Sequence, residues 1–89
     1  MNNNIQIIPT KKGQIVRIFN PLEGEDPNKE YLLGEDPSPY GNDKQLQIYP
    51  LSEIKKYNEQ GGLPFSDNIP KGDLTMIGES LEEYLNRKT

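Results

Sequence analysis

Cysteine, histidine, tryptophan and alanine are all missing from the 89-residue chain. Without cysteine there is no disulfide, no thiolate nucleophile and no zinc-thiolate centre. Without histidine the chain lacks the one side chain whose ordinary pKa lies near neutrality, and with it the commonest metal ligand. Ser-His-Asp, Cys-His and histidine-based zinc arrangements are therefore impossible. No glycine-rich phosphate loop occurs either, so the expectation is a protein that is not an enzyme and uses no cofactor or metal. No apolar run is long enough to cross a bilayer, and no basic stretch precedes one as in a secretory leader, which points to the cytoplasm and away from membranes. The absence of alanine argues against a helix bundle.

What is present suits one small β domain over residues 1–89. Leu, Ile, Val and Phe supply 21 residues, enough for a single modest core, while Gly and Pro contribute 8 each and break the chain into short elements. The net charge of −4 is unevenly spread. Residues 1–22 carry only Lys11, Lys12 and Arg17, whereas residues 23–43 hold seven acids (Glu23, Glu25, Asp26, Glu30, Glu35, Asp36 and Asp43) against Lys29. Such a stretch repels a nucleic-acid backbone, and its simplest reading is a solvated loop.

Along the chain, Ile5-Gln6-Ile7-Ile8 reads as a short strand closed by Pro9. Gln14 to Phe19 is the strongest strand, apolar on both faces, which suits coverage from both sides or a homodimer contact. Tyr31-Leu32-Leu33 and Gln45 to Tyr49 follow as strands, the latter alternating with Leu46 and Ile48 inward. Leu51, Ile54 and Tyr57 change to a helical period, residues 61–72 read as a connector with Phe65 and Ile69 as candidate anchors, and Asp73 to Ile77 as a last strand. Ser80 and Glu83 stand in capping-box relation before a helix over 81–88, whose buried face would hold Leu81, Tyr84 and Leu85. The fold class expected is mainly β with minor α: a small, partly open antiparallel barrel with one short helical segment and a short C-terminal helix.

Carboxylate pairs such as Glu35/Asp36 and Glu82/Glu83 sit where burial would not lift them toward neutrality, so acid-base catalysis is not expected. Asp26 to Pro37 begins like a calcium loop but has Tyr31 at the sixth position and Pro37 at the twelfth, where glycine and glutamate are needed. Tyrosines offer rigid, amphipathic contact area. Tyr31, Tyr57 and Tyr84 read as core-edge residues, whereas Tyr40 in a turn-rich loop and Tyr49 on the polar face of its strand are candidates for contact. The partner surface expected is Glu23, Glu25 and Asp26 with Tyr40 and Tyr49, facing a protein, and a basic one would suit these acids. The alternative is a nucleic-acid face of Lys11, Lys12, Arg17 and Lys44, with Lys55 and Lys56 in addition. A small accessory or inhibitor protein is a third reading.

Lys12-Gly13-Gln14-Ile15-Val16-Arg17-Ile18, followed by Pro21-Leu22-Glu23-Gly24-Glu25, resembles the opening of an SH3-like small barrel of the KOW type. The resemblance covers about residues 10–50. It implies a small barrel whose loop after the first strand meets RNA or a transcription or ribosomal partner through basic residues. Here the corresponding positions are Glu23, Glu25 and Asp26, which turns the expectation toward a protein partner. A peptide-binding SH3 domain is similar in topology but depends on a tryptophan that this chain lacks.

Overall fold

In the computed structural model, which describes residues 5–54 and 66–88, the β-branched and aromatic runs become strands and the turn-residue clusters become their links. The strands are β1 (Ile15–Ile18), β2 (Tyr31–Leu33), β3 (Gln45–Pro50), β4 (Asp67–Pro70) and β5 (Leu74–Gly78). A 3-10 turn, Lys71–Asp73, joins β4 to β5, and the helix α1 (Leu81–Lys88) follows. Residues 51–54 are also helical. The strands form one antiparallel sheet in the order β4-β3-β2-β1-β5. Over the described residues the protein is thus mainly β with two short helical stretches, as its composition and alternation imply.

The chain path forces this sheet to curl. Its two outermost strands, β4 and β5, are joined by the three-residue turn alone. A flat sheet would place them about 19 Å apart, four spacings of about 4.8 Å, whereas a 3-10 turn of this length spans roughly 10 Å. The turn is pinned on both sides: Lys71 N donates to Lys44 O (2.9 Å), Gly72 N to Asn42 O (3.0 Å), and Phe19 N to Asp73 O (2.8 Å). A register shift against β5 at Ile15/Val16 adds local twist.

Curling gives the sheet an inner face. Val16, Tyr31, Leu33, Leu46, Ile48 and Leu74 are buried there, with Ile18 and Ile69 packed against them. Each such aliphatic side chain contributes about 1.5–3 kcal/mol on burial. The outer face carries a second apolar contact. Ile15, also fully buried, stands opposite Gly78, and the Tyr84 ring of α1 fills the space a side chain at 78 would need, with Cδ1 2.9 Å from that Cβ position. Strand β1 is therefore covered on both faces within one chain.

Three expectations change, and a fourth is only partly covered by the described residues. Ile5 to Ile8 is no ladder strand: it lies along β5 through Met76 N to Ile7 O (2.7 Å) and Ile7 N to Thr75 Oγ1 (2.9 Å), a side-chain oxygen standing in for a backbone acceptor. Strand β4 arises inside the stretch read as a connector, because pairing with β3 overrides weak local propensity. Ser80 does cap α1, its Oγ accepting from Glu83 N (3.1 Å), but Leu85 is 52% exposed because the helix meets the sheet through Tyr84. The helical period expected over 51–57 is seen at 51–54, while Lys55, Lys56, Tyr57 and Phe65 lie outside the described residues.

One buried polar side chain organises the entry to β1. Gln14 Oε1 accepts from Thr10 N (2.7 Å) and Lys11 N (3.1 Å), and its Nε2 donates to Thr10 Oγ1 (3.2 Å) and Glu79 Oε2 (3.3 Å). Gly13 completes the turn at φ 91°, a conformation that favours glycine.

Candidate functional site

The acidic loop after β1 is shaped by its own side chains. Glu25 N donates to Leu22 O (2.9 Å), Gly24 takes φ 92°, and Glu25 Oε1 accepts from Leu22 N (2.6 Å). Asp26 Oδ1 then accepts from Asn28 N (2.8 Å), and Lys29 N donates back to Asp26 O (3.2 Å). These local bonds fix the backbone and hold Leu22 outward, 75% exposed.

Beneath this loop the curled sheet leaves a seam. A groove of about 250 Å³ has an apolar floor of Ile18, Ile69 and Pro70, with the exposed Leu22, Asn20, Glu25 and Asp73 around it. Asp67 pairs with Ile48 in register and so lies on the inner side of β4 with Ile69. Burial, followed by the charges of Asp67, Glu25 and Asp26, raises the Tyr31 pKa above the ordinary tyrosine value. Those three carboxylates thus act on Tyr31 through their charge, and the Lys29 ammonium stands 5.5 Å from the centre of its ring.

Tyr40 lies in the next loop. Asp36 Oδ1 accepts from Ser38 N (2.9 Å) and Tyr40 N donates to Pro37 O (3.1 Å). The Ser38 backbone and side-chain bonds, helped by the Lys71 charge, hold the Asp36 carboxyl below its ordinary range. Lys71 Nζ donates to Pro37 O (3.0 Å) and Tyr40 O (2.8 Å), and the Lys44 ammonium sits 5.1 Å from the Tyr40 ring centre. The 3-10 turn that contributes Asp73 to the groove thus also anchors Tyr40.

Tyr49 is elsewhere. It pairs with Leu32 on the outer face, and with Lys12, Gly13, Leu32, Gly34 and Ile54 it lines a separate cleft of about 290 Å³. Of the residues read as a partner surface, Glu25 lines the seam groove, Asp26 lines a separate hollow with Lys29, Glu30, Leu51 and Ser52, and Glu23 is exposed in the same loop. Tyr40 is tethered to the adjoining turn, and Tyr49 belongs to the opposite face. Leu22, Asp67 and Asp73 were not singled out from sequence as site residues, and Ile69 was read only as an anchor of the connector; recognising β4 would have placed Asp67 and Ile69.

The basic candidates are dispersed. Lys11 and Lys12 are exposed in the turn before β1, Arg17 pairs with Thr75, and Lys44 is engaged with Tyr40. Among the described residues no group of His, Cys, Asp or Glu is arranged to hold a metal ion, and no helix is long and apolar enough to cross a membrane. No protein-family model, curated protein or solved structure matches the chain.

Proposed function

We propose that this chain is a non-enzymatic, SH3-like binding module that takes a basic, partly apolar segment of a partner protein into the seam groove. One observation carries the reading: an apolar floor of Ile18, Ile69 and Pro70, with the exposed Leu22 at its rim, is flanked by two carboxylates, Glu25 and Asp73. An apolar patch with a charged rim is the anatomy of a protein contact, in which the rim steers and orients while the floor supplies buried area. The antiparallel order β4-β3-β2-β1-β5 with a 3-10 turn between β4 and β5 supports the SH3-like part of the reading. The acids around the groove favour a protein over a nucleic acid. The absence of cysteine, which a small extracellular domain would use for crosslinks, favours the cytoplasm.

The test begins with a partner captured on the tagged protein from a lysate of its source and retained after nuclease treatment. Its association is then compared between the wild type and the variant Glu23→Gln, Glu25→Gln, Asp26→Asn. The amides at 25 and 26 keep an oxygen for Leu22 N and Asn28 N, so the loop stays shaped while its charge goes. At low salt the on-rate is expected to fall by about tenfold or more, with the salt dependence flattened. An unchanged on-rate overturns the acidic rim as the contact.

A further inference from the structure

The two sides of the sheet are guarded differently. The β4 edge carries Asp67 and Pro70, a charge and a missing donor, which are means by which edges avoid pairing with other chains. On the other side the outermost segment is 5–9, docked along β5. Residues 1–10 contain no ionisable side chain, in a chain of net charge −4. Ile5 and Ile7 are 73% and 49% exposed. A short, uncharged, aliphatic edge of this kind is a ready template for strand pairing.

Its hydrogen bonding fixes which register is open. Both backbone groups of Ile7 point inward, its N–H to Thr75 Oγ1 and its C=O to Met76 N. The Gln6 carboxamide also turns inward, donating to Gly72 O (2.6 Å) and Leu74 O (2.9 Å). Exposure alternates along 5–8 as in an extended chain. Neighbouring residues in such a chain point their backbone groups to opposite sides, so those of Gln6 and Ile8 face outward. Pro9, fully buried and without an N–H, ends this stretch.

We propose that this edge pairs with the same edge of a second copy, antiparallel about a two-fold axis at Ile7. Gln6 of each copy would exchange N–H···O bonds with Ile8 of the other, and the two Ile7 side chains would meet in the non-hydrogen-bonded position, where facing side chains are closest. A second copy fits because the register is self-complementary and brings no like charges together. The resulting sheet runs continuously through both chains and leaves the seam groove free.

Sedimentation of the full-length chain from micromolar to millimolar concentration tests this, alongside Ile7→Lys and Leu85→Lys. The wild type is expected to dimerise with rising concentration. Ile7→Lys, which sets two ammonium groups face to face, is expected to weaken the dimer at least tenfold; Leu85→Lys, at an exposed leucine on α1, is expected to leave it unchanged. In the wild type, amide exchange at Gln6 and Ile8 is expected to slow as concentration rises, a readout that needs no variant to fold. A monomer throughout the range, an Ile7→Lys dimer as tight as wild type, or equal weakening by Leu85→Lys would overturn the proposal. None of these outcomes bears on the seam groove.

Discussion

The Tyr49 ring occupies the space in which residue 34 would otherwise carry a side chain: a Cβ built on Gly34 would overlap Tyr49 Cε2 and stand 3.1 Å from Cδ2. Gly34 N also donates to Gln47 O (2.8 Å), which fixes the backbone there. With the backbone held there, the Tyr49 ring is the partner that must shift. Gly34→Ala is therefore expected to cost about 1–3 kcal/mol, the range for overpacking, read as a lower urea midpoint. Because Tyr49 lies across the sheet from the seam groove, partner association at that groove should survive in the folded fraction of the variant.

That placement of Tyr49 marks where sequence reading stops. Leu46 and Ile48 alternate with glutamines, so the strand and its inward face are legible from period two alone. Ile15 and Val16 are both apolar, and the structure buries both, one on each face. The seam was not legible, because it depends on β4. Asp67-Asn68-Ile69-Pro70 has little strand propensity and contains a proline, and only pairing with β3 makes it a strand. Without β4, nothing in the sequence brings Ile69 or Asp73 to Glu25. The N-terminal segment failed in the opposite sense: its aliphatic run was legible, but the Thr75 hydroxyl and the Gln6 carboxamide hold it where ladder bonds were expected.

Gln14 is buried, and its Oε1 is the acceptor for two backbone donors, Thr10 N and Lys11 N. Replacing it with leucine keeps the volume but leaves both N–H groups without that acceptor. Gln14→Leu is expected to destabilise by about 1–3 kcal/mol in chemical denaturation. Gln14→Glu restores an acceptor but faces Glu79, whose Oε2 is 3.3 Å from Gln14 Nε2. Its stability should therefore recover as pH is lowered and the carboxyl protonates, which Gln14→Leu should not show.

Lys71 acts as a clasp as well as a charge acting on Asp36, since its ammonium donates to the carbonyls of Pro37 and Tyr40. Lys71→Met removes both bonds while keeping much of the side-chain length. The expected loss of stability is about 0.5–1.5 kcal/mol per bond at most, because the loop is partly exposed and water replaces the donor. The sharper readout is local: exchange of the Tyr40 amide, bonded to Pro37 O, should quicken while amides of β2 and β3 do not. Equal acceleration across the sheet would show that Lys71 stabilises the whole fold rather than this loop.

Tyr31 links the core to the acidic loop, and its titration tests both. Burial raises its pKa most, and Asp67, Glu25 and Asp26 raise it further. The folded state therefore favours the neutral phenol more than the unfolded chain does. That contribution to stability is fully present below the ordinary tyrosine value near 10 and is lost as pH rises through the higher folded value. Tyr31→Phe, which has no proton to lose at this position, should show a shallower fall in unfolding free energy across about pH 9 to 11. The variant Glu23→Gln, Glu25→Gln, Asp26→Asn should bring the Tyr31 titration, followed by ring NMR shifts, back toward the ordinary value only in part. Burial remains in that variant, as does Asp67. A complete return would mean that charge rather than burial dominates, and an unmoved titration would mean that the loop carboxylates do not act on Tyr31.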